Sequence, residues 1–174
     1  MTILVSLSGL PGVGKTTVAK NLSALTNAVH LRVDSVEAAL KRSILNIHPA
    51  EDAGYLALAS IAQDNLLLGH DVIVDTVNPI EVTRELWAQT ASVASAQLLN
   101  VEVVCSDIDV HRQRVETRMS DIEGLVVPSW KAVSQREFEQ WRTYRLVVDT
   151  SVSSIEKCAA TIACAMEKLR SLAG

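Results

Sequence analysis

Gly9-Leu10-Pro11-Gly12-Val13-Gly14-Lys15-Thr16 is the stretch that decides the reading. It matches G-x-x-x-x-G-K-[ST], in which glycines let backbone N–H groups turn inward around an anion. The lysine adds a point charge, and the final hydroxyl serves a divalent cation. Before it, Ile3-Leu4-Val5-Ser6-Leu7 reads as a buried strand; after it, Val18, Leu22 and Leu25 mark one side of an amphipathic helix. Strand, glycine turn and helix in that order aim a helix N-terminus at the enclosed anion. Gly9, Gly12, Val13, Gly14, Lys15, Thr16 and Thr17 are therefore the expected phosphate-binding residues, with Thr16 also a ligand of Mg2+.

Outward from the motif, short apolar runs alternate with helical patterns, the mark of βαβ units and a parallel sheet. Strands are expected at Ile3–Leu7, Val29–Val33, Val72–Val74, Val101–Val104 and Leu146–Val148. Helices are expected at Lys15–Thr26, Ser35–Leu45, Glu51–Leu68, Glu81–Ser95, Asp109–Met119 and Ser153–Leu172. Ser35 reads as an N-cap, Ser153 with Glu156 as a capping box, and Gly69 as a left-handed residue closing a helix. Ser120 to Ser134, with Gly124 and Pro128, is too long for an idle connector and reads as a flap. The expected architecture is one α/β domain over 1–174, a five-stranded parallel sheet with helices on both faces and a lid at 120–134.

Composition sets the outer limits. A length of 174 residues suits one domain. Sixteen basic against twenty acidic residues give a net charge of −4, without the basic footprint of a nucleic-acid binder. Apolar residues make up 48% and aromatic ones 3%, so the core must be aliphatic. Cys105, Cys158 and Cys164 have neither the even count nor the spacing of a disulfide or zinc framework. No apolar run approaches the ~18 residues of a membrane span. The first residues carry no basic leader or cleavage signal, so a cytoplasmic chain, monomeric or homodimeric, is the expectation.

Several strands end in an acidic residue, and in open parallel sheets ligands bind beyond the carboxyl ends of strands. Asp34 there is either the base that takes an acceptor's proton or a helix cap. Asp75 is either a magnesium-organising carboxylate or a turn residue of Asp75-Thr76-Val77-Asn78-Pro79. Arg114 and Arg118, at i and i+4, share a helix face and could close guanidiniums over a transferring phosphate. The opposing reading is a solvated face with Glu116 neutralising Arg112. His30, His48, His70 and His111 show no ligand spacing and read as surface or turn residues; Trp87, Trp130 and Trp141 read as packing groups, and Glu37 with Lys41 as an i, i+4 salt pair.

Other phosphate-binding classes lack their parts. N-K-x-D is missing, the only D-x-x-G is Asp121-Ile122-Glu123-Gly124 in the flap, and Val74-Asp75-Thr76 has no adjacent glutamate to activate water. A small kinase remains: ATP as donor, Mg2+ as cofactor, and a small hydroxylated molecule as acceptor. Its acceptor site should lie between the second-strand helix and 47–56, where Glu37 and Tyr55 stand. A rival reading is a nucleotide-responsive module without phosphotransfer.

Ser8 to Thr17, Arg32-Val33-Asp34, Val72-Ile73-Val74-Asp75 and Arg114-Val115-Glu116-Thr117-Arg118 together resemble the P-loop small-molecule kinases. That group includes zeta toxin, chloramphenicol phosphotransferase, gluconate kinase and adenylylsulfate kinase, and the small kinases labelled AAA-family ATPases. The resemblance implies transfer from Mg2+-ATP to a hydroxyl, with Asp34 as base and Arg114 and Arg118 facing the phosphates and adenine. It also implies that Thr150 and Ser151 edge the adenine, and it opens a second rival reading, a zeta-toxin-like kinase of a nucleotide sugar. One departure stands out: many relatives carry D-x-x-R, whereas this chain has Asp34-Ser35-Val36-Glu37. Like charges at short range are costly once desolvated, so Glu37 points to a neutral or amine-bearing acceptor.

Overall fold

The computed structural model describes residues 1–172. Five strands, β1 (Ile3–Ser8), β2 (Val29–Arg32), β3 (Val72–Asp75), β4 (Gln97–Val104) and β5 (Leu146–Asp149), form one parallel sheet in the order β2-β3-β1-β4-β5. The pleat sends alternate residues of β1 to opposite faces. Ile3, Val5 and Leu7 join one core beneath helices α1 (Lys15–Thr26) and α7 (Ile155–Leu172). Leu4 joins a second core beneath α3 (Ala53–Leu67) and α4 (Glu81–Val93), with Val72, Val74 and Trp87. Two buried faces explain why the strands read as continuous apolar runs.

The remaining helices border the carboxyl rim: α2 (Val33–Arg42), α5 (Ile108–Thr117) and the short α6 (Trp130–Ser134). The segment expected as a flap is therefore irregular only to Ser129, whose hydroxyl caps α6 by accepting from the Ala132 N–H.

Boundaries differ from expectation for local reasons. Arg32 is still extended and α2 starts at Val33, so Asp34 lies in its first turn and Ser35 is not a cap. Glu51 has φ +49°, outside the right-handed helical region, which delays α3 to Ala53. Ser154, not Ser153, caps α7, its Oγ accepting from Lys157 N–H. β4 begins four residues early because its polar Gln97 and Asn100 pair with Ile3 and Ser6 of β1. Gly69 takes φ +94° after α3, as its position predicts. Glu37 forms no ion pair with Lys41 among the described residues.

At the amino end of the sheet, Asp71 accepts from Ile3 N–H at 2.9 Å and pairs with Arg170 of α7. No helix among the described residues is long and apolar enough to cross a membrane.

Candidate active site

Gly9, Gly12 and Gly14 have φ of +135°, +87° and +100°, the backbone needed for a closed loop with inward amides. Packing enforces glycine at the first two. A Cβ on Gly9 would lie 2.2 Å from Val103 O, and one on Gly12 would lie 2.4 Å from Val115 Cγ2. The Gly9 amide donates to Val77 O and the Val13 amide reaches Leu10 O at 3.5 Å. Among the described residues, the amides of Gly12, Gly14, Lys15, Thr16 and Thr17 have no partner within the protein. Five unpaired donors around one hollow at a helix N-terminus fit a polyphosphate. The Val13 side chain is buried in the core, and its amide is the one in the loop that stands against a carbonyl of the preceding turn, Leu10 O.

Lys15 is 8% exposed and curls back so that Nζ donates to Gly9 O at 2.8 Å and Leu10 O at 3.1 Å. Burial pulls its pKa down to about 8, against the opposing attraction of Asp75 and Asp34. Thr16 Oγ1 donates to Asp75 Oδ2 at 2.7 Å, so the two oxygen groups expected at a magnesium ion are already adjacent. Burial alone would raise the Asp75 pKa, but His30, Lys15 and Thr16 outweigh it and hold the carboxyl below its ordinary range. The sheet register places Asp75 opposite Leu7 on one side and Arg32 on the other, just below the loop.

These groups line one cleft of about 700 Å³. Its walls also carry Asp34, Glu37, Tyr55, Arg118 and Arg136, and the flap contributes Asp121, Leu125, Val126 and Pro128. The cap reading of Asp34 fails, since α2 has no side-chain cap. Glu37 is wedged against α3, where a Cβ on Gly54 would fall 2.6 Å from its Cγ. Burial and then the neighbouring Asp34 raise its pKa, which Arg136 partly offsets. Tyr55 is fixed on the same wall, its hydroxyl accepting from the Asn78 N–H at 3.2 Å.

Three expected site residues are engaged by other groups of the protein. Arg114 lines the cleft, but its guanidinium is taken up by Thr150, Nη1 donating to Oγ1 at 2.8 Å and Nη2 to the carbonyl at 3.1 Å. Thr150 is buried and its hydroxyl lies 2.7 Å from Val13 O, bracing the loop from behind instead of lining the cleft. Ser151 turns to Asp149 Oδ1 at 2.7 Å, also outside the cleft. Arg118, just past α5, keeps its side chain in the cleft and has no ion-pair partner among the described residues.

Five residues not expected at the site belong here, and the surface or turn reading of His30 and His111 fails, since one lies in β2 and the other is buried in α5. His30 Nε2 approaches Asp75 Oδ2 to 3.4 Å. Arg32 grips Asp121 through both terminal nitrogens at 3.0–3.1 Å, and Lys20 adds a contact at 2.9 Å. His111 is buried beneath the loop, Nε2 2.9 Å from Pro11 O. Arg136 follows α6 and overlooks Asp34 and Glu37. One signal was available: His111, Arg114, Val115 and Arg118 fall at i, i+3, i+4 and i+7, a single helix face.

The model of the AAA domain family matches residues 4–145. No curated protein matches the chain. Among solved structures, the APS kinase CysC of Mycobacterium tuberculosis, in complex with AMPPNP and APS, is 19% identical with a TM-score of 0.69. That match covers 95% of this chain and 98% of the other. A gluconokinase from Sinorhizobium meliloti 1021 is 18% identical, TM-score 0.64, covering 99% and 97%. Kti12 of Chaetomium thermophilum, solved with ADP-AlF3, is 21% identical, TM-score 0.67, covering 91% and 96%. At these identities the likeness establishes the fold, that of the P-loop kinases.

Proposed function

The chain belongs to the AAA domain family over residues 4–145, and from that premise we propose that it is a phosphotransferase moving the γ-phosphate of ATP to a hydroxyl of a small molecule. The observation that carries the reading is the Thr16–Asp75 contact at 2.7 Å beside five unpaired amides, with Asp34 on the wall of the same cleft. Ligands named in the similar structures, AMPPNP and ADP-AlF3, support a nucleotide in the loop.

Phosphoryl transfer asks the protein chiefly for positioning and charge neutralisation. The amides of Gly12, Gly14, Lys15, Thr16 and Thr17 hold the phosphate chain, and Lys15 swings from the carbonyls of Gly9 and Leu10 onto its outer oxygens. Thr16, with Asp75 behind it, would hold a magnesium ion, whose charge would offset that of the phosphates. Arg118 faces the transferring group from the flap side. Asp34 accepts the proton of the acceptor hydroxyl as the oxygen attacks. Glu37, whose carboxylate has no hydrogen-bond or ion-pair partner among the described residues, disfavours an anionic acceptor and suits a neutral or amine-bearing one. Tyr55 shapes the same wall.

The test is [γ-32P]ATP transfer to panels of sugar acids, nucleosides, neutral polyols and amino-polyols. Transfer to a neutral or amine-bearing acceptor, abolished in Asp34→Asn with AMPPNP binding retained, is expected. Strong transfer to a sugar acid would sink the acceptor class. Nucleotide binding without transfer to any acceptor would leave a nucleotide-responsive module instead.

A further inference from the structure

We propose that His111 is a positioning residue for the phosphate-binding loop: by donating to the Pro11 carbonyl it fixes the direction of the Gly12 N–H. The proposal deepens the kinase reading above and rests on it for its nucleotide readout.

The argument begins with the peptide plane. In a trans peptide, the C=O of one residue and the N–H of the next point in opposite directions, and neither turns without the other. The peptide joining Pro11 to Gly12 is trans. Whatever holds Pro11 O therefore aims Gly12 N–H, and that amide is one of the five with no partner inside the protein. Pro11 O is held by His111 Nε2 at 2.9 Å. A carbonyl oxygen only accepts, so Nε2 must carry the proton. Gly12, at φ +87°, has the freedom of glycine on both sides, and its own backbone cannot select one orientation. The imidazole lies directly beneath it: a Cβ on Gly12 would stand 3.5 Å from both Cδ2 and Nε2.

The ring is itself placed from outside. Trp130, the first residue of α6, meets His111 edge-on, centroids 5.2 Å apart and planes at 84°. Edge-to-face is a preferred aromatic geometry, so the seat of α6 sets the plane of the imidazole. Flap, histidine, carbonyl and amide form one contiguous chain of contacts. Docking of α6 and presentation of the Gly12 donor to phosphate are thereby linked.

Three full-length proteins test this, each titrated calorimetrically with AMPPNP and magnesium: wild type, His111→Phe and His111→Gln. Phenylalanine keeps the ring against Trp130 and removes the donor. Glutamine places an amide nitrogen about where Nε2 stands and keeps it. Loss of one aligned donor to phosphate should weaken binding ~tenfold in His111→Phe, and His111→Gln should recover most of it. Tight binding by His111→Phe, or equal weakness of both variants, overturns the proposal, because a packing role favours phenylalanine over glutamine.

The nucleotide-free 1H–15N spectrum gives an independent readout. The Gly12 amide resonance should move in His111→Phe and in Trp130→Ala, and stay near its wild-type position in His111→Gln. An unmoved Gly12 amide in both donor-loss and ring-loss variants refutes the linkage even if nucleotide binds. If wild type binds no AMPPNP, the kinase reading fails, and the spectrum alone decides on His111.

Discussion

Thr16 and Asp75, 59 positions apart in sequence, meet at 2.7 Å where the end of β3 passes under the first turn of α1. In the proposed reaction the hydroxyl would serve a metal only while the carboxylate holds its orientation. Asp75→Asn should lower magnesium-dependent transfer roughly 10–100-fold, the usual cost of removing an outer-sphere partner, and Thr16→Val, which removes the ligand itself, at least as much. Thr16→Ser should retain most activity. A magnesium titration of transfer rate checks this, and an unshifted midpoint in Asp75→Asn would contradict it.

Lys15 gives a pH signature. Its pKa is about 8 in the folded chain against the ordinary 10.5, so between those values the unfolded state binds more protons than the folded one. Lys15 thus makes stability of the nucleotide-free protein rise with pH from about 8 to 10.5, a trend Lys15→Met should remove. A bound polyphosphate returns the ammonium to favourable surroundings. Proton uptake on binding AMPPNP at pH 9 is the expected result, measured calorimetrically in buffers of different ionisation enthalpy.

Arg114 separates bracing from direct contact. Its two bonds to Thr150, which in turn holds Val13 O, mean that it acts on the loop from behind. Lysine cannot reproduce that two-pronged grip. Arg114→Lys should raise the KM for ATP about fivefold with kcat nearly unchanged, as lost ground-state binding does. A guanidinium stabilising the transferring phosphate would instead lower kcat by ~1,000-fold or more.

Asp121 ties the flap down. Contacts to Lys20 and then Arg32 hold its pKa at about 2, so the pairing is complete above about 4 and is lost as pH falls toward 2. The carboxylate is half exposed, so its effect on global stability is small and salt-sensitive. The flap should report it more clearly. Thermolysin cleavage near Leu125 and Val126 should run about threefold faster in Asp121→Asn, and high salt should speed the wild type while leaving the variant unchanged.

What could be read in the sequence was what is local. Strand, loop and α1 are contiguous, so Gly9 to Thr17 declared itself by spacing alone. Asp75 was visible because it ends an apolar run. His30, His111 and Arg136 were not, because each gains its meaning only when strand register or helix packing brings it to a partner far along the chain. His111 meets Pro11 a hundred residues away. Arg114 was found, but nothing in R-x-x-x-R shows that Thr150 waits beside it. Helix starts slipped where one backbone angle, as at Glu51, overrode favourable composition.

Asp71 knits β1 to the last helix at the end of the sheet remote from the cleft, through Ile3 and Arg170. Foundation and workshop thus occupy opposite poles. Residues such as Glu37, Tyr55 and Arg136 can be exchanged for others without disturbing that anchorage, so a lineage built on this scaffold is free to retarget its chemistry by altering the rim alone.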